Sequence, residues 1–247
     1  MSDQFPCRVL QDGPLPGPVN MAVDEALLNA ATQGIATLRF YQWDTPTVSI
    51  GHFQAREGGS IPARFRGLVA VRRLSGGGAI LHHRELTYSC ALPATHPLTA
   101  DPGQIYDRVH EAIINVLSQH GIASRMRGKD AFADQSFLCF SRGDARDIVI
   151  GSNKIVGSAQ RRRQGAVLQH GSILLSLSPE TPEFPGIVEL SGVKFEAQEL
   201  AGFLLPVISE SLGLEPSHQP SLTPEETRFV EQQAPDYLVG PSDSTVP

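Results

Sequence analysis

The stretch from Phe137 to Leu175 reads FLCFSRGDARDIVIGSNKIVGSAQRRRQGAVLQHGSILL. Residues 147–150 and 154–156 are rich in β-branched residues and flank a Gly-Ser-Asn turn, which predicts a hairpin. Residues 167–177 predict a further strand. The same stretch brings together a thiol, an amine, small residues and a histidine: Cys139, Lys154, Gly157-Ser158-Ala159 and His170-Gly171-Ser172. We therefore expect this stretch to supply strands of the sheet and also reactive side chains.

A second stretch, from Arg72 to Cys90, reads RRLSGGGAILHHRELTYSC. Three consecutive glycines let a backbone approach a ligand closely and expose its N–H groups, and the arginines could hold a phosphate or carboxylate. The same residues are also compatible with a tight surface turn that carries two solvated arginines. The triplet lacks GxGxxG spacing and precedes a predicted strand instead of a helix, which argues against a dinucleotide site.

Composition excludes several classes of protein. Of 247 residues 40% are hydrophobic, enough for a core, and the net charge of −6 is unlike that of most nucleic-acid binders. The three cysteines, Cys7, Cys90 and Cys139, are odd in number and widely spaced, which argues against a disulfide framework or zinc site and favours a reducing, cytoplasmic location. Neither a signal peptide nor an 18-residue apolar span is present, so no membrane partner is expected.

Patterns elsewhere predict the remaining elements. Residues 1–19 read as irregular, Asn20 as the cap of a helix through Leu28 ending at Gly34, and 104–119 as an amphipathic helix. Strands are expected at 37–41, 47–51 and 68–73, with 79–83 and 86–92 paired as a hairpin.

A helix is expected over 195–212, with a kink or interruption at Pro206, and Thr223 to Glu226 form a capping box. Strands and helices do not alternate regularly, which favours a mixed α+β sheet. We expect one domain over 1–234 and a disordered tail over 235–247.

Considered singly, most of the candidate residues have an ordinary structural explanation. Cys139 could be a nucleophile if a neighbouring cation favours its thiolate, or a small buried hydrophobe. Lys154 could be a solvated amine, although Gly157 to Ala159 leave room for a ligand beside it. His82 and His170 could be surface or core histidines. Residues 161–163, three arginines, could be a solvated patch or could steer an acidic partner protein.

Together, the motifs resemble the lipoate/octanoate protein ligase and transferase family, which shares its catalytic fold with biotin protein ligases. The matching segments occur in the family's order between about residues 20 and 176. They are NMAVDEALL (20–28), LRFYQW (38–43), SIGHFQ (49–54), RRLSGGGA (72–79), LTYS (86–89), KIVGSAQ (154–160) and HGS (170–172). The resemblance implies an α+β domain with a mixed, largely antiparallel sheet flanked by helices.

The resemblance also implies a pocket for a medium-chain acyl group. In this sequence Arg72, Gly76, Gly77, Gly78 and His82 would line the acyl site and Lys154 would contact the reacting carbonyl. The remaining expected substrate-binding residues are Gly157, Ser158, Ala159, His170 and Gly171.

The family includes two chemistries. Ligases activate free lipoate with ATP and often carry an additional C-terminal domain, whereas transferases pass octanoate from a carrier thioester through a cysteine. Only about 70 residues follow Ser176 and Cys139 lies upstream of the Lys154 strand, so the resemblance favours an octanoyltransferase with Cys139 as nucleophile. Residues 141–146, rich in Arg and Asp, depart from the family pattern. The alternatives are an ATP-dependent lipoate ligase, a non-catalytic module that binds lipoyl domains or acyl groups, and, by fold, a biotin ligase.

The octanoyltransferase interpretation sets the expected partners. The donor would be acyl carrier protein, and the acceptor a lysine of a lipoyl domain, either the glycine cleavage H protein or the E2 subunit of a 2-oxoacid dehydrogenase. No metal or cofactor is expected, since ATP and Mg²⁺ would be needed only by a ligase.

Overall fold

The computed structural model describes residues 4–56, 61–132, 136–218 and 221–240, which form two sheets and six α-helices. The strands are β1 (Phe5–Leu15), β2 (Ala36–Trp43), β3 (Thr47–Ile50), β4 (Val69–Arg72), β5 (Ile80–His82), β6 (Glu85–Leu92), β7 (Arg125–Met126), β8 (Ile148–Ile150), β9 (Asn153–Arg163), β10 (Ala166–Leu174) and β11 (Leu214–His218). The helices are α1 (Gly17–Thr32), α2 (His52–Arg56), α3 (Gly103–Gln119), α4 (Ile187–Ser191), α5 (Ala197–Leu212) and α6 (Pro224–Gln233).

The larger sheet has the strand order β11-β1-β2-β6-β10-β9-β8-β7. β1 pairs in parallel with both β11 and β2, and the other pairs are antiparallel. The smaller sheet has the order β4-β3-β5. This confirms the predicted α+β class with a mixed, largely antiparallel sheet. Within the described part of the chain, no helix combines the length and apolar character needed to cross a bilayer.

Helices cover both faces of the larger sheet. α3 and α5 pack on one face, and α1 with α6 on the other. The helix predicted at 104–119 is confirmed as α3, whose apolar face includes Ile105, Val109, Ile113 and Val116, all with 0% exposure. Complete burial of one such aliphatic side chain is worth about 1.5–3 kcal/mol, so packing holds this helix on the sheet.

Two further local predictions hold. β8 and β9 form the predicted hairpin around residues 151–153. Thr223 Oγ1 accepts a hydrogen bond from the Glu226 backbone N–H, and the Glu226 carboxylate accepts one from the Thr223 N–H, which completes the capping box of α6. Both features need only residues that are close in sequence.

The structure corrects the prediction for the N-terminal region. Residues 5–15, expected to be irregular, form β1, which is held between β2 and the distant strand β11. Asn20 does not cap a helix, because α1 already begins at Gly17 with a proline in its first turn. Asn20 is instead buried, and its side-chain amide donates to the backbone oxygens of Leu15 and Gln42.

The predicted hairpin of 79–83 with 86–92 is also wrong. β5 pairs with β3 in the smaller sheet, whereas β6 pairs with β2 and β10 in the larger one. Arg84, between them, has a φ of 52°, a left-handed conformation that turns the chain from one sheet to the other.

The predicted disordered tail begins too early. Residues Ala234–Tyr237 form a short 3-10 helix, and Tyr237 is buried against α1, where its hydroxyl donates to Glu25. The last residues of that prediction, 241–247, lie outside the described residues. Pro206 does not interrupt α5, which runs continuously from Ala197 to Leu212.

A buried ionic network joins α1 to the sheet. Arg39 on β2 is 0% exposed and donates to Asp24 Oδ1 at 3.1 Å, to Asp12 Oδ2 at 2.6 Å and to Asn20 Oδ1 at 2.8 Å. Burial would raise the pKa of Asp24, but its hydrogen bond with His170 and the charge of Arg39 leave the pKa lowered. Asn20 and Asp24, one helical turn apart on α1, therefore face the same guanidinium.

Replacing Arg39 by Met should destabilise the fold by about 3–5 kcal/mol, because Asp24 would keep a buried charge without its cation. Urea unfolding followed by circular dichroism measures this change. Arg64→Met, which removes an exposed ion pair with Glu183, is the control and should cost less than about 1 kcal/mol. A loss below 1 kcal/mol for Arg39→Met would show that the network does not stabilise α1.

Candidate active site

A cavity lies where the smaller sheet meets β6, β9 and β10 of the larger one. Its walls combine aromatic and aliphatic side chains with glycines, two histidines and one thiol. The lining residues are Met21, Tyr41, Trp43, Arg73, Gly76, Gly77, Ile80, His82, Thr87, Cys139, Gly157, Ser158, Ala159, His170, Gly171 and Ser172. It is a concave, mainly apolar site with a few polar groups, as small-molecule sites usually are.

Most of the residues selected from the sequence lie around this one cavity. They are Gly76, Gly77, His82, Cys139, Gly157, Ser158, Ala159, His170 and Gly171. Lys154 lies behind the wall and contacts Cys139. Arg72 and Gly78 do not line the cavity. Sequence reasoning did not select the aromatic wall of Tyr41 and Trp43, although both belong to the segment LRFYQW.

Arg73, and not Arg72, belongs to the site. Arg72, the last residue of β4, is exposed, whereas Arg73, which follows the strand, is only 2% exposed. The Arg73 guanidinium donates to the backbone oxygens of Ser49, Gly76 and Gly78 at 2.9, 2.7 and 2.7 Å. Burial lowers the pKa of Arg73 to about 10, so it stays protonated at neutral pH and fixes the glycine turn.

The glycine turn packs closely against the segment that joins β3 to α2. Gly77 has a φ of +92°, which favours glycine. A Cβ on Gly51 would lie 2.1 Å from the backbone oxygen of Gly77, so two backbone segments touch here. The turn is therefore held against α2 and β3 by its own backbone.

Cys139 begins a short 3-10 helix, Cys139–Ser141, beside this turn. Its backbone N–H donates to the Ala79 oxygen at 2.7 Å, and the Ala79 N–H donates to the Phe137 oxygen at 2.8 Å. These two bonds join the cysteine segment to the end of the glycine turn. The Cys139 side chain is partly exposed and reaches the cavity.

Lys154 is buried and directed at Cys139. Its Nζ lies 3.5 Å from Cys139 Sγ and 3.2 Å from the Cys139 backbone oxygen, and it pairs with Asp147 Oδ1 at 2.8 Å. A Cβ on Gly157 would lie 2.6 Å from Lys154 Cε and 2.9 Å from Nζ. The lysine therefore reaches the thiol because residue 157 has no side chain.

Asp147 is a site residue that sequence reasoning missed. Its side chain is 5% exposed, pairs with Lys154, and accepts a hydrogen bond from the Asp144 N–H through Oδ2 at 2.8 Å. Burial raises the pKa of Asp147, and the Lys154 charge acts in the opposite direction. The sequence signal was weak, because one acidic residue before a strand is common.

The two histidines of the cavity are fixed by different partners. His82 Nδ1 donates to the Glu85 carboxylate at 2.7 Å, His82 Nε2 lies 2.7 Å from Ser49 Oγ, and the His82 ring stacks on Trp43 with the ring centres 3.8 Å apart. Burial lowers the pKa of His82 despite Glu85. His170 contacts Asp24 and Ser75, and so links the ionic network of α1 to the glycine turn.

Ser158 connects the cavity to α3. Its Oγ lies 2.7 Å from the Tyr88 hydroxyl and 2.7 Å from His110 Nε2, while His110 Nδ1 lies 2.6 Å from the Arg146 backbone oxygen. Burial lowers the pKa of His110 to about 4, so its ring is neutral at pH 7. A neutral ring that donates a hydrogen bond through Nδ1 can accept a hydrogen bond from the Ser158 hydroxyl through Nε2.

Cys7 and Cys90 are structural thiols. Both are at most 2% exposed and lie on the core strands β1 and β6. Burial raises the pKa of Cys7 to about 12 and raises that of Cys90 well above its usual value. Cys139 is thus the thiol that solvent and a lysine both reach.

Comparison with known proteins defines the class. Residues 16–209 match the family model described as "Lipoyl protein ligase A/B catalytic domain". The chain belongs to this family. Solved structures with the same fold include a bipartite lipoate protein ligase from Thermoplasma acidophilum, with TM-score 0.71, 21% identity and coverage of 94% of this chain and 92% of that one. Lipoate-protein ligase A bound with ATP has TM-score 0.73, 24% identity and coverage of 93% and 94%.

Relatives found by sequence carry a more specific name than the family model does. The chain is 35% identical to a protein named Octanoyltransferase LipM from Kyrpidia tusciae, over 94% of this chain and 96% of that protein. It is 42% identical to an Octanoyltransferase LipM from Moorella thermoacetica, over 69% of this chain and 66% of that protein.

Lys154→Met should slow alkylation of Cys139 by iodoacetamide at pH 7 by about tenfold, because a nearby cation stabilises the reactive thiolate. Peptide mass spectrometry of timed samples gives the rate, and the buried Cys7 and Cys90 should remain unlabelled. Lys194→Met, at an exposed lysine paired with Glu196, is the matched control. Equal rates in wild type and Lys154→Met would show that the 3.5 Å contact does not activate the thiol.

Proposed function

We propose that this chain is an octanoyltransferase of lipoate biosynthesis that carries the octanoyl group on Cys139. The observation that carries the proposal is the contact of 3.5 Å between Lys154 Nζ and the partly exposed Cys139 Sγ at an apolar cavity. The relatives named as octanoyltransferases support the same reaction class. The donor would be octanoyl-acyl carrier protein and the acceptor a lysine of a lipoyl domain.

The cavity supports a fatty acyl ligand. Met21, Tyr41, Trp43 and Ile80 supply its apolar wall. Each buried CH₂ contributes about 0.8 kcal/mol, so a closed apolar wall distinguishes chains that differ by a few carbons. An octanoyl tail directed to these residues leaves its carbonyl beside Cys139.

In the first step, the Cys139 thiolate attacks the donor thioester carbonyl. A new C–S bond to Sγ forms, the bond to the carrier sulfur breaks, and the carrier leaves as a thiol with the proton that Cys139 has released. Lys154 stabilises the thiolate before attack. Its three N–H groups face the Asp147 carboxylate, the Cys139 oxygen and Sγ, and the one facing sulfur is released for the developing oxyanion as Sγ becomes acylated.

In the second step, a neutral lysine amine attacks the acyl-enzyme carbonyl. The C–N bond forms, the C–S bond breaks, and the amine proton passes to the Cys139 sulfur. The acceptor ammonium must first lose one proton to solvent. An amide is more stable than a thioester, so neither step requires ATP, and we propose that the reaction needs no cofactor or metal.

The free thiol that this scheme needs agrees with the cytoplasmic location expected from cysteine usage. An ATP-dependent lipoate ligase is the second candidate, because solved ligases share the fold. That chemistry would not depend on the Cys139 thiol.

Incubation with octanoyl-acyl carrier protein should add one octanoyl group to Cys139, detected by intact-protein and peptide mass spectrometry. Cys139→Ser should abolish the thioester adduct and reduce transfer to an apo lipoyl domain by at least about 1000-fold, as loss of a nucleophile does. Cys7→Ala, at a buried thiol, is the matched control and should keep the adduct.

Transfer should proceed equally with and without ATP. Lipoylation or octanoylation that requires ATP, or that survives Cys139→Ser, would instead indicate a ligase. Binding of the lipoyl domain without any acyl transfer would indicate a non-catalytic module.

A further inference from the structure

A second cavity lies beside Asp147, the residue that pairs with Lys154. It is lined by Tyr106, His110, Asp144, Arg146, Asp147 and Ser158. We propose that this cavity receives the side chain of the lysine that accepts the acyl group, and that Asp144 binds its ammonium. The inference rests on the proposed function, because it assigns a site to the second half of that reaction.

The two cavities adjoin at the reactive groups. Ser158 lines both of them. Asp147 lines the second cavity and holds Lys154 Nζ at 2.8 Å, while the same Nζ lies 3.5 Å from Cys139 Sγ. One ammonium thus separates the wall of the second cavity from the sulfur that carries the acyl group.

The acyl chain fills the first cavity, so the amine has to reach the acyl-enzyme from another direction. In the acyl-enzyme the octanoyl tail occupies the apolar cavity, and its carbonyl is attached to Sγ at the rim. An amine must approach the carbonyl carbon from outside the acyl chain. The inference places this approach at the boundary that the two cavities share at Ser158, next to the Lys154–Asp147 pair.

Charges in the second cavity suit a primary ammonium. Arg146 pairs with Asp107 at 2.7 Å and its guanidinium lies 5.7 Å from the centre of the Tyr106 ring, and Lys154 pairs with Asp147. Asp144 forms no ion pair within the described ranges 4–56, 61–132, 136–218 and 221–240. Its Oδ1 accepts from the Arg146 N–H at 2.9 Å, and its Oδ2 has no hydrogen-bond donor among the same residues. Asp144 is therefore the carboxylate available to an incoming cation.

The shape of a lysine side chain fits the remaining wall. The Tyr106 ring lines the cavity and packs edge-on against His110 at 6.1 Å, giving an apolar surface for the four-carbon stem. The ammonium binds Asp144, gives one proton to solvent, and the neutral amine then forms the C–N bond as the C–S bond to Cys139 breaks. The second amine proton passes to Sγ, which regenerates the thiol.

The test uses the variant Asp144→Asn, which keeps the shape of the side chain and removes its charge. Acylation of Cys139 and transfer to the amine are measured separately. Acylation of Cys139 by octanoyl-acyl carrier protein is measured first, by mass spectrometry, and should match wild type. Transfer from the isolated acyl-enzyme is then measured against the concentration of apo lipoyl domain and, separately, of Nα-acetyl-lysine methylamide. For both acceptors, the half-saturating concentration should rise about tenfold, as expected when one charge-assisted contact is lost.

Asp130→Asn is the matched control, since Asp130 forms an exposed ion pair with Arg125 in the loop after β7 and should leave both half-reactions unchanged. Asp144→Glu should restore most of the affinity. Normal transfer by Asp144→Asn, or an effect on the lipoyl domain but none on the small amine, would overturn the inference, since Asp144 would then not bind the lysine. Failure of wild type to acylate Cys139 would instead overturn the proposed function.

Discussion

The ion pair between Lys154 and Asp147 is the interaction on which the candidate site depends. Both side chains are at most 5% exposed, and Lys154 would carry a costly buried charge without Asp147, which also lies 3.8 Å from Arg127 Nε. Asp147 is in turn fixed by the Asp144 N–H, and the missing side chain of Gly157 leaves the lysine its path. The positive charge beside Cys139 is therefore a consequence of β8, β9 and the turn before them, and not of the cysteine loop.

The second constraint is carried by backbone hydrogen bonds. Residue 79 exchanges bonds with residues 137 and 139, so the thiol has a fixed position relative to the glycine turn. Arg73 ties that turn to β3, because it donates to the carbonyl groups of Gly76 and Gly78 in the turn and of Ser49 on the strand. The smaller sheet thus positions the cysteine and the larger sheet positions the lysine. The cavity exists because the two sheets meet at this point.

The sequence predicts the parts of the molecule that depend on near neighbours. The α3 helix, the β8–β9 hairpin and the capping box of α6 each follow from residues within one element or turn. β1 was not predicted, because its sequence contains Pro6, Gly13 and Pro14, and its partners β2 and β11 lie about 30 and about 200 residues away. The choice between Arg72 and Arg73 required knowing which of the two side chains is buried at the end of β4, which alternation alone does not define. Asp147 was not selected, because a single acidic residue before a strand is common and its burial beside Lys154 depends on the packing around the hairpin.

The buried polar groups explain why family motifs far apart in sequence form one site. Asp24 of NMAVDEALL binds Arg39 and Tyr41 of LRFYQW, and also His170 of the HGS motif. His170 in turn contacts Ser75 beside the glycine triplet. Each of these groups would lose its partner if one element moved, so helix α1, although it contributes only Met21 to the cavity wall, sets the relative position of β2, β10 and the glycine turn. An acyl chain that binds between these elements therefore meets a wall already held in place by charges that it does not touch.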